Sequence, residues 1–291
     1  RGVVLSQGLY PSYSDIDCYW MAACSIDTAV RNAVAAGGTL ERLAILDNFC
    51  WCDSTNPKRL AQLKESARAC YDFAVAYGTP FISGKDSMKN DYHIGSTRIS
   101  IPPTILVSVV AKIPDVRTAI TMDFKEPGTL IYIIGNTYRD MGASEYALMK
   151  GLSDSSVPTV RRPPAAFAQY KALHQAIING HVRSCHDLSD GGLGVALAEM
   201  CFAGECGARI ELSKVPQSGC TTDAEVLFSE TQSRVLVEVS PSAAAAVESY
   251  FKQALFACIG TTTKGDTVEV IGRDGTPAFR VSRIDAKAAW K

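Results

Sequence analysis

The first residues that could do chemistry lie in the segment FISGKDSMKND, residues 81–91. Lys85, Asp86 and Ser87 place a cation, a carboxylate and a hydroxyl side by side where an apolar strand is expected to end. Such a strand end suits either a charged surface turn or a loop that holds phosphate and a metal ion. Gly84 would let the backbone come close to a ligand. Asp86 fits a metal ligand and a salt-bridge partner equally well.

A second polar segment, HDLSDGG at residues 186–192, is expected between the end of one helix and the start of the next. Two carboxylates beside glycine amides suit a divalent cation and its phosphate oxygens. The alternative is an Asx-type turn in which Asp190 caps the following helix. Asp187 is the better candidate for a ligand.

Two further segments have a structural explanation that is as good as a functional one. FSETQSR, residues 228–234, fits a turn before a strand, and GASEY, residues 142–146, fits a helix N-terminus capped by Ser144.

Single polar residues also fall at positions that favour ligand contact. Asp47 and Asn48 end a buried strand, and strand ends carry ligand groups in layered α/β proteins. Asn32 lies near the end of the first predicted helix and shares one helix face with Thr28.

The composition excludes several classes of protein. The chain has 291 residues, 47% of them hydrophobic and 20% charged, with a net charge of −1, which is typical of a soluble globular protein with two domains. Neither nucleic acid nor a membrane is expected as a partner. The ten cysteines lack the spacing of a zinc site and are expected as reduced thiols in a cytoplasmic protein. Because the chain begins at Arg1, we expect a fragment or a processed chain.

The elements that must position these residues form two successive patterns of helices and strands. Apolar periodicity and helix-stop residues predict two domains, at about 1–115 and 125–291, of α+β or α/β class. The predicted helices cover residues 20–36, 57–77, 165–178, 195–204 and 242–256. The predicted strands cover 42–51, 79–83, 103–113, 129–135, 208–212, 233–240, 267–271 and 278–282.

Taken together, five segments resemble one family, phosphoribosylformylglycinamidine synthase. They occur in the family's order over nearly the whole chain, and they resemble the second half of the synthetase region, a member of the aminoimidazole ribonucleotide synthase superfamily. The segments are DIDCYWMAACSIDTAVRNAV, LAILDNFCW, PFISGKDSMKND, HDLSDGGLGVALAEM and FSETQSRVLVEV.

The resemblance implies a fold and a reaction. The N-terminal sheet of each half pairs with that of a partner to close a barrel, and a C-terminal α/β domain packs outside it. ATP activates the formamide oxygen of formylglycinamide ribonucleotide as an iminophosphate, and ammonia from glutamine displaces phosphate. The cofactors implied are ATP or ADP and Mg²⁺.

The resemblance also implies roles for residues of the phosphate and substrate segments. Asp47 and Gly84 resemble nucleotide-binding residues, Ser189 would lie near the nucleotide, and Ser87 resembles a substrate contact. Lys85 replaces an Asn metal ligand of the shorter enzymes. A charged lysine cannot bind magnesium, so Lys85 is expected to contact phosphate.

Magnesium ligands are implied at Asp187 and Asn32. Thr28 stands where the family has a glutamate, so one ligand is expected to be lost.

The expected partners are formylglycinamide ribonucleotide, the first half of the synthetase, and a glutaminase domain or subunit. The fragment is expected to be inactive alone and to form a homodimer in isolation. Two alternatives stay open: another ATPase of the superfamily, such as aminoimidazole ribonucleotide synthase, or a non-catalytic half that holds a nucleotide structurally.

Overall fold

The computed structural model describes residues 1–291 and contains two main β-sheets with helices between and beside them. The strands are β1 Gly2–Gly8, β2 Leu43–Cys50, β3 Phe81–Ser87, β4 Asp91–Ile94, β5 Thr97–Ser100, β6 Thr104–Ile113, β7 Leu130–Ile134, β8 Thr137–Tyr138, β9 Ser184–Asp187, β10 Gly207–Glu211, β11 Gln217–Ser218, β12 Val235–Val239, β13 Phe256–Thr263, β14 Thr267–Ile271 and β15 Pro277–Ser282. The helices are α1 Cys18–Ala35, α2 Pro57–Tyr77, α3 Glu145–Lys150, α4 Pro163–Ile178, α5 Gly192–Gly204, α6 Asp223–Phe228, α7 Ala244–Tyr250 and α8 Arg283–Trp290.

The first sheet has the strand order β1-β6-β2-β3. Strand β6 runs antiparallel to β1 and β2, and β3 adds to β2 in parallel at the edge. Alternate residues of β6, such as Ile105, Val107 and Val109, are buried and face α1. The opposite face, which we call the outer face, carries Val3 and Leu5, whose residues are 69% and 76% exposed. One side of this sheet is therefore packed and the other is open.

Helix α1 is buried almost all round because it lies between the two sheets. One hydrophobic core joins α1, the inner face of the first sheet, α4 and one face of the second sheet. A helix that is apolar on every side needs such a position. Asp17 caps its first turn by accepting from the N–H of Trp20 at 3.0 Å.

The second sheet has the order β15-β14-β10-β13-β7-β12-β9. Its interior strand β7 divides its side chains between two cores: Tyr132 and Ile134 pack on the α4 side, and Ile131 and Ile133 on the α5 side. Central strands covered on both faces give continuous apolar runs, which is why this strand was predictable from sequence. The molecule is thus a layered mixture of helix and sheet, as expected.

Three expectations about elements are wrong. Residues 79–83 were expected as a short buried strand before a loop, but β3 continues through Ser87 and is mostly exposed, because pairing with β2 extends it along the sheet edge. The predicted helix 242–256 is only α7, and the chain turns near Phe251 to enter β13. The segment after α4 first forms β9, paired with β12, before the turn that leads to α5.

The main helix boundaries are otherwise confirmed. Pro57 occupies the first turn of α2 behind an Asn56 cap, and Gly78 ends the helix in the left-handed region at φ 62°. The division into 1–115 and 125–291 stays a prediction, although each main sheet is built from strands of one range only. None of the helices combines the length and apolar character required to span a bilayer. All ten cysteines are unpaired, and eight of them are buried.

Strand β1 approaches α1 so closely that it admits no side chain at Gly8. A Cβ there would lie 1.9 Å from the carbonyl oxygen of Ser25, which is backbone and cannot turn away. We expect Gly8→Ala to lower the free energy of unfolding by about 2 kcal/mol or more, because β1 must separate from α1. Urea unfolding measures this change. The control is Gly2→Ala, whose Cβ would meet side chains rather than backbone, Val116 at 3.3 Å and Ile113 at 3.7 Å. Equal stability of the two variants would contradict the packing described.

Candidate functional site

The site is organised around a buried arginine of α1. Arg31 donates from Nη1 to Asp27 Oδ2 at 2.5 Å, one helical turn earlier. Its Nη2 lies 3.1 Å from Thr28 Oγ1, 3.4 Å from Asp187 Oδ2 and 3.3 Å from the carbonyl oxygen of Leu188. The side chain of Arg31 is 0% exposed, and that of Asp187 is 4% exposed. A buried charge of this kind persists only when it is paired and hydrogen-bonded, as here.

Asp27 extends this cluster to three other elements. It accepts hydroxyl hydrogen bonds from Tyr77 of α2 at 2.5 Å and from Tyr170 of α4 at 2.7 Å. The backbone N–H of Ser233, before β12, donates to the same carboxylate at 3.1 Å. Burial and the neighbouring carboxylate of Asp27 raise the pKa of Tyr77 far above its ordinary value, so this phenol stays a donor. One ion pair therefore connects α1 to two other helices and to the second sheet.

On its other side, Asp187 contacts an imidazole. His186 Nδ1 lies 3.4 Å from Asp187 Oδ1, and its Nε2 lies 2.7 Å from Glu199 Oε2. Burial alone would lower the pKa of His186, but hydrogen bonds to the two carboxylates outweigh burial and raise it to about 9. For Asp187 the effect of burial has the opposite sign and would raise the pKa. Hydrogen bonds and charges from His186 and Arg31 outweigh burial and hold the pKa of Asp187 below its ordinary value.

Asp187 and Asn32, the two predicted magnesium ligands, line the same cavity of about 570 Å³. Both Asp187 oxygens already have a cationic partner, one in Arg31 and the other in His186. Nowhere in the chain do three or more His, Cys, Asp or Glu side chains form a group that could hold a metal ion. The donor set at Asp187 therefore does not fit a divalent cation, and the assignment of magnesium there rests on the resemblance alone.

Asp47 and Gly84 lie directly opposite each other on β2 and β3. A Cβ at Gly84 would come within 2.3 Å of Asp47 Oδ1, so the glycine is what admits this carboxylate. Burial raises the pKa of Asp47, and the charge of Asp86 on the same sheet face raises it further. Asp86 has no salt bridge within this chain, and its role as a metal ligand or a salt-bridge partner stays open.

Lys85 and Ser87 point to the outer face of the same strand, away from Asp47. They pair in register with Asn48 and Cys50, and the Lys85 ammonium donates to Ser87 Oγ. Lys85 is exposed and Ser87 half-buried, so both can meet a ligand from the open side of the sheet. Lys85 and Ser87 therefore lie on one face of the strand and Asp86 on the other, because side chains alternate along a strand.

The turn between β9 and α5 packs against the segment before β12. Gly191 and Gly192 adopt φ 73° and 62°, and a Cβ at Gly192 would meet the carbonyl oxygen of Ser229 at 2.4 Å. The N–H of Gly191 donates to Glu230 Oε1 at 2.9 Å. The N-cap of α5 is Gly191 without any side-chain bond, so the alternative in which Asp190 caps this helix is wrong.

The predicted site residues therefore fall into separate groups. Asp47 with Gly84 lies on the inner face of the sheet edge, and Lys85 with Ser87 on the outer face. Asp187 shares a cavity with Asn32, and Ser189 follows in the turn after β9.

Sequence reasoning missed Arg31, Asp27 and Glu230. The spacing of Asp27 and Arg31 within an otherwise apolar helix was the available signal, because a charge there must be paired. Glu230 belongs to FSETQSR, which was assigned only a turn or a ligand contact. In the structure it accepts from the N–H of Glu145, next to Ser144, which does cap α3 as expected.

Glu230 should make stability depend on pH. Burial raises its pKa from 4.5 to about 7, although hydrogen bonds from the N–H groups of Gly191 and Glu145 act to lower it. Between pH 4.5 and pH 7 the Glu230 carboxyl is therefore ionised in the unfolded chain and protonated in the folded chain. The contribution of Glu230 is thus fully present below pH 4.5 and is lost as pH rises through 7, by up to about 1.4 kcal/mol per pH unit. We expect Glu230→Gln to flatten this part of the stability profile in urea unfolding from pH 5 to 8.

Glu65→Gln, on α2 with a side chain that is 42% exposed, should leave the slope unchanged. An identical slope in Glu230→Gln and the unsubstituted chain would contradict the assignment.

Comparison with known proteins agrees with the family suggested by the motifs. The family described as AIR synthase related protein, C-terminal domain, matches residues 126–273. The chain is 30% identical over its full length to the phosphoribosylformylglycinamidine synthase subunit PurL of Thermoplasma volcanium, covering 36% of that subunit. It is 31% identical over its full length to PurL of Deinococcus radiodurans, covering 39% of it. The chain thus spans well under half the length of these relatives.

Solved structures show the same fold at low identity. Thermotoga maritima PurL complexed with FGAR superposes with a TM-score of 0.81 at 20% identity, over 98% of this chain and 45% of that one. Hydrogenase maturation protein HypE in complex with ATP gives 0.70 at 14% identity, over 97% and 85%. The predicted resemblance to the synthetase region is confirmed, and the chain belongs to the AIR synthase-related family.

Proposed function

We propose that this chain is the second half of the synthetase region of a phosphoribosylformylglycinamidine synthase. The observation that carries this proposal is the identity of 30–31% to PurL subunits over the whole chain. ATP would phosphorylate the formamide oxygen of formylglycinamide ribonucleotide, and ammonia would then displace phosphate to give the amidine. The chain covers 36–39% of those subunits, so the first half and a glutaminase would come from elsewhere.

The ligands named for Thermotoga maritima PurL support this choice. That protein has been solved with FGAR, ATP, AMPPCP and ADP, and also as PurLQS. For this chain we propose a nucleoside triphosphate or diphosphate and formylglycinamide ribonucleotide as ligands, and further synthase subunits or domains as partners.

Lys85 and Ser87 are the residues that we place nearest the phosphate and the substrate. An ammonium and a hydroxyl on one exposed face offer a charge and hydrogen-bond donors to phosphate oxygens. Asp47 with Gly84, on the other face of the strand, and Ser189, in the turn after β9, are proposed as nucleotide contacts. No step of this reaction is assigned to a metal ion at Asp187.

The outer face of the first sheet is proposed as the surface that meets the partner half. Val3 and Leu5 are 69% and 76% exposed and lie two positions apart on the same edge strand, so they form an adjacent apolar pair on this face. The proposed barrel would bury this face and would place Lys85 and Ser87 at the junction of the two halves. In the isolated chain we expect a second copy to take the partner's place.

One observation favours a second candidate, a half that binds nucleotide without turning it over. The carboxylate of Asp187 contacts Arg31 and His186. It does not belong to a group of three or more His, Cys, Asp or Glu side chains that could hold a metal ion. Nucleotide binding would then stabilise the assembly, while the chemistry would take place in the other half.

Nucleotide binding by the isolated chain tests the site. We expect AMPPCP to bind in calorimetry, and Lys85→Gln to weaken binding roughly tenfold through loss of a charge-assisted hydrogen bond. Lys64→Gln, at an exposed position on α2, is the matched control and should bind normally. Absence of AMPPCP binding would argue against both candidates. Equal affinity of the two variants would remove Lys85 from the site.

Sedimentation tests the proposed partner face. We expect the chain to be a dimer at micromolar concentration, and Leu5→Glu to convert it to a monomer because a carboxylate would be buried in the interface. Leu60→Glu, at a residue of α2 that is 53% exposed, should leave the dimer intact. A monomeric unsubstituted chain, or a Leu5→Glu variant that stays dimeric, would refute this interface.

A further inference from the structure

Arg31 contacts the carboxylate at which the family resemblance expects a divalent cation. Asp187 and Asn32 line one cavity, and Asp187 faces this cavity beside His186. The guanidinium of Arg31 contacts the same carboxylate from α1. The question is which cation this carboxylate serves.

Five oxygen atoms surround the guanidinium, and together they resemble the ligand set of a hard metal ion. They are Asp27 Oδ2, Gln232 Oε1, Thr28 Oγ1, Asp187 Oδ2 and the carbonyl oxygen of Leu188, at 2.5, 3.3, 3.1, 3.4 and 3.3 Å. Carboxylate, amide, hydroxyl and carbonyl oxygens are the groups that Mg²⁺ and Ca²⁺ take from proteins. Here a fixed side chain occupies their centre.

The positive charge of Arg31 disfavours the binding of a second cation at Asp187. The side chain of Arg31 is 0% exposed, and an arginine does not lose its proton in proteins. A divalent ion bound to Asp187 would lie within a few ångströms of the guanidinium of Arg31, and the two positive charges would repel each other. Displacing the guanidinium would leave Asp27 buried without its counter-charge.

Thr28 fits the same account. In a site built for a metal, the family glutamate at this position would be a ligand. The threonine hydroxyl here lies 2.8 Å from the hydroxyl of Tyr10 and accepts from Arg31 at 3.1 Å. Because Thr28 is uncharged, two carboxylates rather than three contact Arg31.

We propose that Arg31 is the resident cation of this site and takes the place of the divalent ion at Asp187. Asp187 is then a positioning residue that, with the Leu188 carbonyl, fixes the turn after β9 against α1. The assignment concerns the chain's own cation, so it holds whether or not the chain binds a nucleotide.

Manganese binding tests the proposal directly, with Mn²⁺ alone as the probe and the free-ion electron paramagnetic resonance signal as the readout. We expect the unsubstituted chain and Asp187→Asn to leave the same free Mn²⁺ concentration within twofold. A tight Mn²⁺ site that Asp187→Asn abolishes would overturn the proposal.

The converse experiment opens the site. In Thr28→Glu/Arg31→Met, an apolar side chain replaces the guanidinium and a third carboxylate joins Asp27 and Asp187. We expect Mn²⁺ to bind at least tenfold more tightly than to the unsubstituted chain, and to raise the melting temperature of this variant alone. The control is Thr28→Glu/Arg209→Met, in which the removed arginine is exposed.

A folded double variant that gains no Mn²⁺ affinity would overturn the claim that Arg31 is what excludes the metal. If this variant does not fold, the comparison of the unsubstituted chain with Asp187→Asn still decides the question.

Discussion

The buried ion pair between Arg31 and Asp27 is the interaction on which the rest of the structure depends. Both side chains are completely buried, and their partners come from α2, α4, the turn after β9 and the segment before β12. Removing one member of such a pair typically costs about 3–5 kcal/mol, because the other charge is left in the interior without compensation. The pair therefore fixes α1 against α2, α4 and the second sheet, and the apolar core closes around it.

The same constraint separates the site into a rigid interior and an open edge. Asp187 is held by partners within the chain, whereas Lys85 and Ser87 lie on a sheet face that is only partly covered. We propose that groups of the second kind meet a ligand together with another chain or another half. This agrees with a chain that spans 36–39% of the PurL subunits to which it is similar over its full length.

The sequence predicted those elements whose ends and faces are decided by residues close together in the chain. The caps and stops of α2 and the apolar runs of β6 and β7 were readable because few alternatives exist for such patterns. The extension of β3 through Ser87 was not, since pairing with β2 decides it. The Asp187 environment was also out of reach. Its partner Arg31 is 156 residues away in the chain, and the motif indicated a carboxylate without indicating its counter-charge.

A crystal of the full chain soaked in Mn²⁺ would test the central claim most directly, through the anomalous scattering of manganese. The account predicts no anomalous peak at Asp187, with the guanidinium of Arg31 in contact with Asp27 and Asp187. A manganese peak coordinated by Asp187 and Asn32, with Arg31 turned away from them, would contradict it.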